Sequence, residues 1–165
     1  MVRVVAFGTF DLLHYGHVKM LEKAKELGGE SAELIVVISR DTSAQKVKGH
    51  PPIFPEDQRL KLLKSLKVVD DAVLGYESDD WKDRLKIIED LKPNIIVLGY
   101  DQPIDLNALQ DELIKRGVKV EKVVRLEKYG ESSFNSSSSI IDQIIQKFIH
   151  NSTANGKNKE KKEEM

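Results

Sequence analysis

Apolar positions along this chain follow two patterns that alternate. Short, nearly continuous runs of aliphatic residues recur at 2–7, 34–39, 69–74, 95–99 and 118–125, and each reads as a buried strand. Between them, apolar residues return with helical period at 18–27, 56–66, 81–91 and 106–116. Strands alternating with helices predict an α/β fold, a single Rossmann-like doubly wound domain with a five-stranded parallel sheet and helices on both faces. Ile95-Ile96-Val97-Leu98 suits a strand covered on both sides. Punctuation agrees: Pro55 precedes the second helix, Pro93 follows the third, Gly117 ends the fourth, and Asp105 stands where an N-cap of that fourth helix belongs.

The serine run 136–139 leads into Ile140, Ile141, Ile144, Ile145 and Phe148, an amphipathic last helix. From Asn151 the chain turns polar and charge-blocked, with Lys157, Lys159, Lys161 and Lys162 beside Glu160, Glu163 and Glu164. Such a segment buries too little to order itself. The expected organisation is one domain over 1–150 and a disordered polar tail over 151–165.

Composition narrows the function classes. The 165 residues suit one domain with a real core. A net charge of −1 lacks the basic excess of a nucleic-acid binder. No apolar run approaches membrane-spanning length, and the N-terminus lacks the layout of a signal peptide. With no cysteine, disulfides are excluded, and a soluble, cytoplasmic protein is expected.

The chemistry gathers at the first strand-to-helix turn, Gly8-Thr9-Phe10-Asp11-Leu12-Leu13-His14-Tyr15-Gly16-His17. A glycine there lets backbone approach a bound group, and the helix that follows points unpaired N–H groups at it. Two imidazoles three residues apart can converge on one anion. A zinc site is disfavoured, because His50 and His150 are the chain's remaining histidines and there is no cysteine. In doubly wound sheets the site collects at the carboxyl ends of strands. After the second strand, Lys46 and Lys48 on a Gly- and Pro-containing loop offer mobile charges, and Arg59 near a helix start offers a rigid fork for phosphate. After the fourth come Gly99 and Asp101, suited to a base and a ribose; after the fifth, Ser137 and Ser138 open a helix toward a phosphate.

The order of strand, glycine, Asp turn, His-x-Gly-His and amphipathic helix resembles the nucleotidyltransferase superfamily with the HxGH signature. The resemblance spans residues 2–149 and is sharper at Arg40-Asp41, at Lys48-Gly49 with Pro51-Pro52-Ile53, at 55–59 and at 98–102. These stretches look like those of the archaeal-type FAD synthases, single-domain enzymes that move AMP from ATP onto FMN. Glycerol-3-phosphate cytidylyltransferases, which use CTP, share the skeleton and, with related phospho-alcohol or sugar-phosphate cytidylyltransferases, remain the alternative. They carry an Arg-Thr-x-Gly-Ile-Ser-Thr segment whose arginine has no counterpart here unless Arg125 serves. A non-catalytic nucleotide-binding module is a further alternative.

The resemblance implies that a phosphate of the acceptor attacks the α-phosphorus directly. His14 and His17 would donate to the triphosphate, with Thr9 and Phe10 placing backbone near the α-phosphate and Gly8 and Asp11 completing that turn. Lys46 or Lys48, with Arg59, would bridge acceptor and donor phosphates. Gly99 and Asp101 would sit by the nucleoside, and Ser137 and Ser138 by the departing phosphates. It further implies magnesium with the triphosphate, no nucleic-acid or membrane partner, and a homodimer as one possible assembly. Tyr15, Phe54, Tyr76, Trp81, Tyr100 and Phe134 offer aromatic surface for a flavin ring.

Overall fold

The computed structural model describes residues 1–130 and 136–149. Five strands, β1 (Arg3–Gly8), β2 (Glu33–Ile38), β3 (Asp71–Leu74), β4 (Ile95–Leu98) and β5 (Lys122–Arg125), form one sheet in the order β3-β2-β1-β4-β5. Every pairing is parallel. The helices are α1 (Tyr15–Glu26), α2 (Asp41–Lys48), α3 (Glu56–Lys64), α4 (Trp81–Arg84), α5 (Lys86–Leu91), α6 (Leu106–Lys115) and α7 (Ser137–Ile144), the last continued by a wider turn over Ile145–Ile149. This is the single five-stranded Rossmann-like domain expected. The polar tail expected over 151–165 lies outside the described residues, as does Phe134.

Alternation along the central strands sorts side chains onto two cores. Val4 and Ala6 of β1, with Leu34, Val36 and Ile38 of β2, meet Leu21 and Ala24 of α1 and Leu63 of α3 on one face. Val5, Ile35 and Val37 point to the other face, against Ile87 and Ile88 of α5 and Leu109 and Leu113 of α6. Because both faces are covered, the inner strands read as unbroken apolar runs instead of alternating ones. The connections run toward β3 on one side of β1 and toward β5 on the other. The strand order therefore reverses between β1 and β4, and a crevice opens above their carboxyl ends.

Two elements differ from the sequence pattern. Residues 41–48, expected as loop, form helix α2, closed by Gly49 in the left-handed region at φ 80°. Residues 81–91, expected as one helix, divide at Leu85, where Leu85 N–H donates to the Lys82 carbonyl and Ile88 N–H to the Leu85 carbonyl in tightened turns. Asp105 caps α6, accepting from Ala108 N–H at 2.8 Å.

Candidate functional site

A cavity of about 680 Å³ occupies the crevice. Its floor is the turn between β1 and α1, and the turn's shape has specific causes. Phe10 and Leu12 adopt φ of 53° and 49°, a region that costs an ordinary residue roughly 1–2 kcal/mol. Neighbours hold them there. The Phe10 ring folds back over Gly8, where a Cβ would stand 2.6 Å from the ring, so Gly8 is required by Phe10 packing. The Asp11 carboxylate accepts from Ile53 N–H at 2.7 Å, from Phe54 N–H at 2.9 Å and from Leu12 N–H at 3.0 Å. Asp11 borders the cavity, yet these three amides occupy its oxygens, so it acts by tying the turn to the segment before α3.

The two histidines come together as the spacing requires. His14 stands at the N-cap of α1 and His17 one turn on, their rings stacked with centroids 3.8 Å apart. Phe10 meets His17 edge-on at 5.3 Å. His17 Nδ1 accepts from His14 N–H at 3.4 Å, so its own proton sits on Nε2. Burial, then the neighbouring His14, then the charge of Lys48 push the His17 pKa down to about 3. Burial lowers that of His14 too, and its Nδ1 is enclosed without a partner among the described residues. Both rings are therefore neutral at pH 7, and His17 has an N–H to offer a ligand.

The other expected residues divide. Gly8, Thr9, Phe10, Asp11, His14, His17, Lys48, Gly99, Asp101, Ser137 and Ser138 line the cavity together. Ser137 Oγ–H donates to the Asp11 carbonyl at 2.6 Å and fastens the start of α7 to the turn. Lys46 is not in the lining; it projects from the far side of α2 to pair with Asp79. Arg59 does not reach the cavity either. Its guanidinium is 0% exposed and donates to the carbonyls of Thr9 at 2.6 Å, Phe54 at 3.0 Å and Ser39 at 2.9 Å, and to Asp41 at 2.6 Å. Those carbonyls terminate strands β1 and β2 and the loop before α3. Arg59 is thus a clamp beneath the floor, with its donors turned to protein.

Residues that sequence reasoning missed also line the cavity: Arg40, Ser43, Arg84 and Gln102 among them. The Gln102 carboxamide donates to the Phe7 carbonyl from across the switch point. Of the proposed aromatic surface, Tyr76, Trp81 and Tyr100 border the cavity, whereas Tyr15 and Phe54 do not.

A parallel sheet with order β3-β2-β1-β4-β5, carrying a paired-imidazole turn at its switch point, defines a nucleotide-handling α/β domain. The chain belongs to the cytidylyltransferase-like family, which it matches over residues 5–143. It is 50% identical over 145 residues to a protein named FAD synthase from Aciduliprofundum boonei, covering 88% of this chain and 91% of the relative. It is 46% identical over 146 residues to a FAD synthase from Thermoplasma volcanium, covering 88% and 96%. A crystal structure titled lipopolysaccharide core biosynthesis protein from Thermoplasma volcanium superposes with a TM-score of 0.69 at 46% identity, covering 79% of this chain and 99% of that one. Pantoate-beta-alanine ligase from Francisella tularensis, at 18% identity and a TM-score of 0.52, shares the fold.

Proposed function

We propose that this protein is a nucleotidyltransferase that moves AMP from ATP onto FMN, giving FAD and pyrophosphate. The observation that carries the chemistry is the pair of neutral imidazoles enclosed at the switch point, beside Lys48 and the start of α7. The acceptor is supported by the FAD synthase relatives, which match along nearly their whole length. Tyr76 and Trp81 border the same cavity and are compatible with a flat flavin ring.

In the reaction an oxygen of the FMN phosphate bonds to the α-phosphorus while the bond to the pyrophosphate oxygen breaks, and that electron pair leaves with pyrophosphate. Such a transfer asks the protein for alignment and for donors aimed where charge develops. His17 Nε2–H supplies one donor without the repulsion two adjacent imidazolium rings would create. Lys48 supplies the compensating positive charge, and the Ser137 and Ser138 end of α7 receives the departing phosphates. Asp101 and the backbone at Gly99 face the nucleoside. Among the described residues no three His, Asp or Glu gather into a metal cage. Magnesium would enter as the counter-ion of the triphosphate, with few ligands from the protein.

The test is product analysis with ATP or CTP crossed against FMN, riboflavin and glycerol 3-phosphate. FAD and pyrophosphate should appear together with ATP and FMN alone, and riboflavin, which lacks the attacking phosphate, should be inert. Pyrophosphate formed with CTP and glycerol 3-phosphate but never with ATP and FMN would overturn the assignment.

A further inference from the structure

One face of α2 walls the cavity: Arg40, Ser43, Ala44, Val47 and Lys48 recur at the i, i+3, i+4, i+7, i+8 spacing and all line it. Its two charged ends are about 12 Å apart along the axis. Lys48, at the C-terminal end, lies close enough to depress the His17 pKa and belongs to the site already described. The N-terminal end has no function assigned so far.

We infer that this N-terminal end is a second anion subsite, and that it holds the phosphate monoester of the acceptor. The inference rests on the FMN adenylyltransfer reading and specifies where the attacking phosphate sits. Arg40 is the N-cap residue of α2. Its Nη1 is fixed to Glu56 Oε1 at 3.1 Å, and its Nε and Nη2 donate to nothing in the described chain. The first-turn amides of Thr42 and Ser43 likewise have no acceptor among the described residues. Free amides at a helix start are anion donors, but they occur at most helices. The observation that points to a ligand here is Ser43. It is 6% exposed, it lines the cavity, and its hydroxyl makes no hydrogen bond to any described residue. With the rest of the residue enclosed, that hydroxyl takes its partner from the cavity.

The acidic groups nearby are turned away. Asp41 accepts from Arg59 and from Glu56 N–H at 3.2 Å, and Glu56 accepts from Asp41 N–H at 2.8 Å and pairs with Arg40. Arg40 thus lines the cavity, whereas its carboxylate partner Glu56 does not. The location suits the attacking phosphate. Ser39, adjacent to Arg40, donates to Thr9 Oγ1 at 3.0 Å, so the start of α2 adjoins the turn that floors the site. An anion held there adjoins the same turn to which the serine start of α7 is fastened, and so would stand next to the α-phosphate. Arg40 fills the role that the sequence suggested for Arg59.

The test is calorimetric titration of FMN, riboflavin and ATP, each separately, into wild type, Arg40→Ala and Ser43→Ala. Losing a charged fork should weaken FMN by roughly 10- to 100-fold, and losing one hydroxyl by less. ATP affinity should stay within error in both variants, and Arg40→Ala should leave riboflavin binding as it was. Unchanged FMN affinity in both variants would overturn the subsite. ATP affinity falling in step with that of FMN would also overturn it, by assigning these donors to the nucleotide. If Arg40→Ala does not fold, Arg40→Lys with Ser43→Ala carries the same comparison. If wild type neither binds FMN nor makes FAD, the proposed function fails by itself. Titration with inorganic phosphate then decides the subsite: binding weakened by Ser43→Ala and by the Arg40 variant upholds it, and equal binding to all overturns it.

Discussion

His17 and Arg59 lie on opposite sides of the same few backbone atoms. Both are nitrogen donors that the sequence places near phosphates. His17 is in the cavity lining, with one ring nitrogen bonded to backbone and the other left for a ligand. Arg59 is fully enclosed on the far side of Thr9, and its donors meet three carbonyls and Asp41. The difference teaches that residue type marks capacity only. Whether a donor serves a substrate or the fold depends on which acceptors the chain itself brings to it.

The comparison breaks most sharply at Arg59. Arg59→Ala removes the donor shared by the Thr9, Ser39 and Phe54 carbonyls and Asp41 Oδ1, and should destabilise by roughly 2–4 kcal/mol. Thermal or denaturant unfolding checks this. Arg59→Lys should also lose stability, since one ammonium cannot span acceptors on three segments. A variant that melts like wild type yet is inactive would place the guanidinium at the substrate after all. At His17 the effects should invert: His17→Ala should lower turnover by roughly 10²–10³ with little change in ATP affinity, the scale for one preorganised donor. A lost fold with preserved turnover in the surviving protein would contradict it.

A pH series sharpens the same contrast. The His17 pKa is held near 3 in the folded chain, below its ordinary value of 6.5. The unfolded chain therefore binds the extra proton first as pH falls. Stability from this group is complete above pH 6.5 and declines below it, by about 2 kcal/mol between pH 7 and pH 5. His17→Asn should make that decline shallower. An unchanged slope would mean that the ring is not enclosed as described. The smallest effect belongs to the lysines: Lys46→Ala removes an exposed pair and should leave the unfolding midpoint unchanged within error. Its loss of turnover should be far smaller than that of Lys48→Ala, as steady-state kinetics with FMN and ATP would show.

Much of this was legible in the chain. The five strands, the presence of helices on both faces of the sheet and the HxGH turn all follow from local periodicity and short spacings. Helix α2 was hidden because its inward face is Arg40, Ser43, Ala44, Val47 and Lys48, too polar to signal an apolar stripe; its partner is the cavity and not the core. The clamp was hidden for a different reason. Arg59 meets Thr9 50 residues away, and Asp11 meets Ile53 and Phe54 42 and 43 residues away. Periodicity carries no record of hydrogen bonds at such separations. The aromatic residues were legible only as candidates, and their place in the fold separates Tyr76, Trp81 and Tyr100, which border the cavity, from Tyr15 and Phe54, which do not.

The central claim is direct transfer of AMP between two substrates aligned over one turn. Single-turnover reaction of the protein with ATP labelled at the α-phosphorus, in the presence of FMN, tests it most directly. The label should pass to the flavin as FAD at the rate at which pyrophosphate appears, with none held on the protein. Label retained on the chain, or a flavin product without label, would contradict the account.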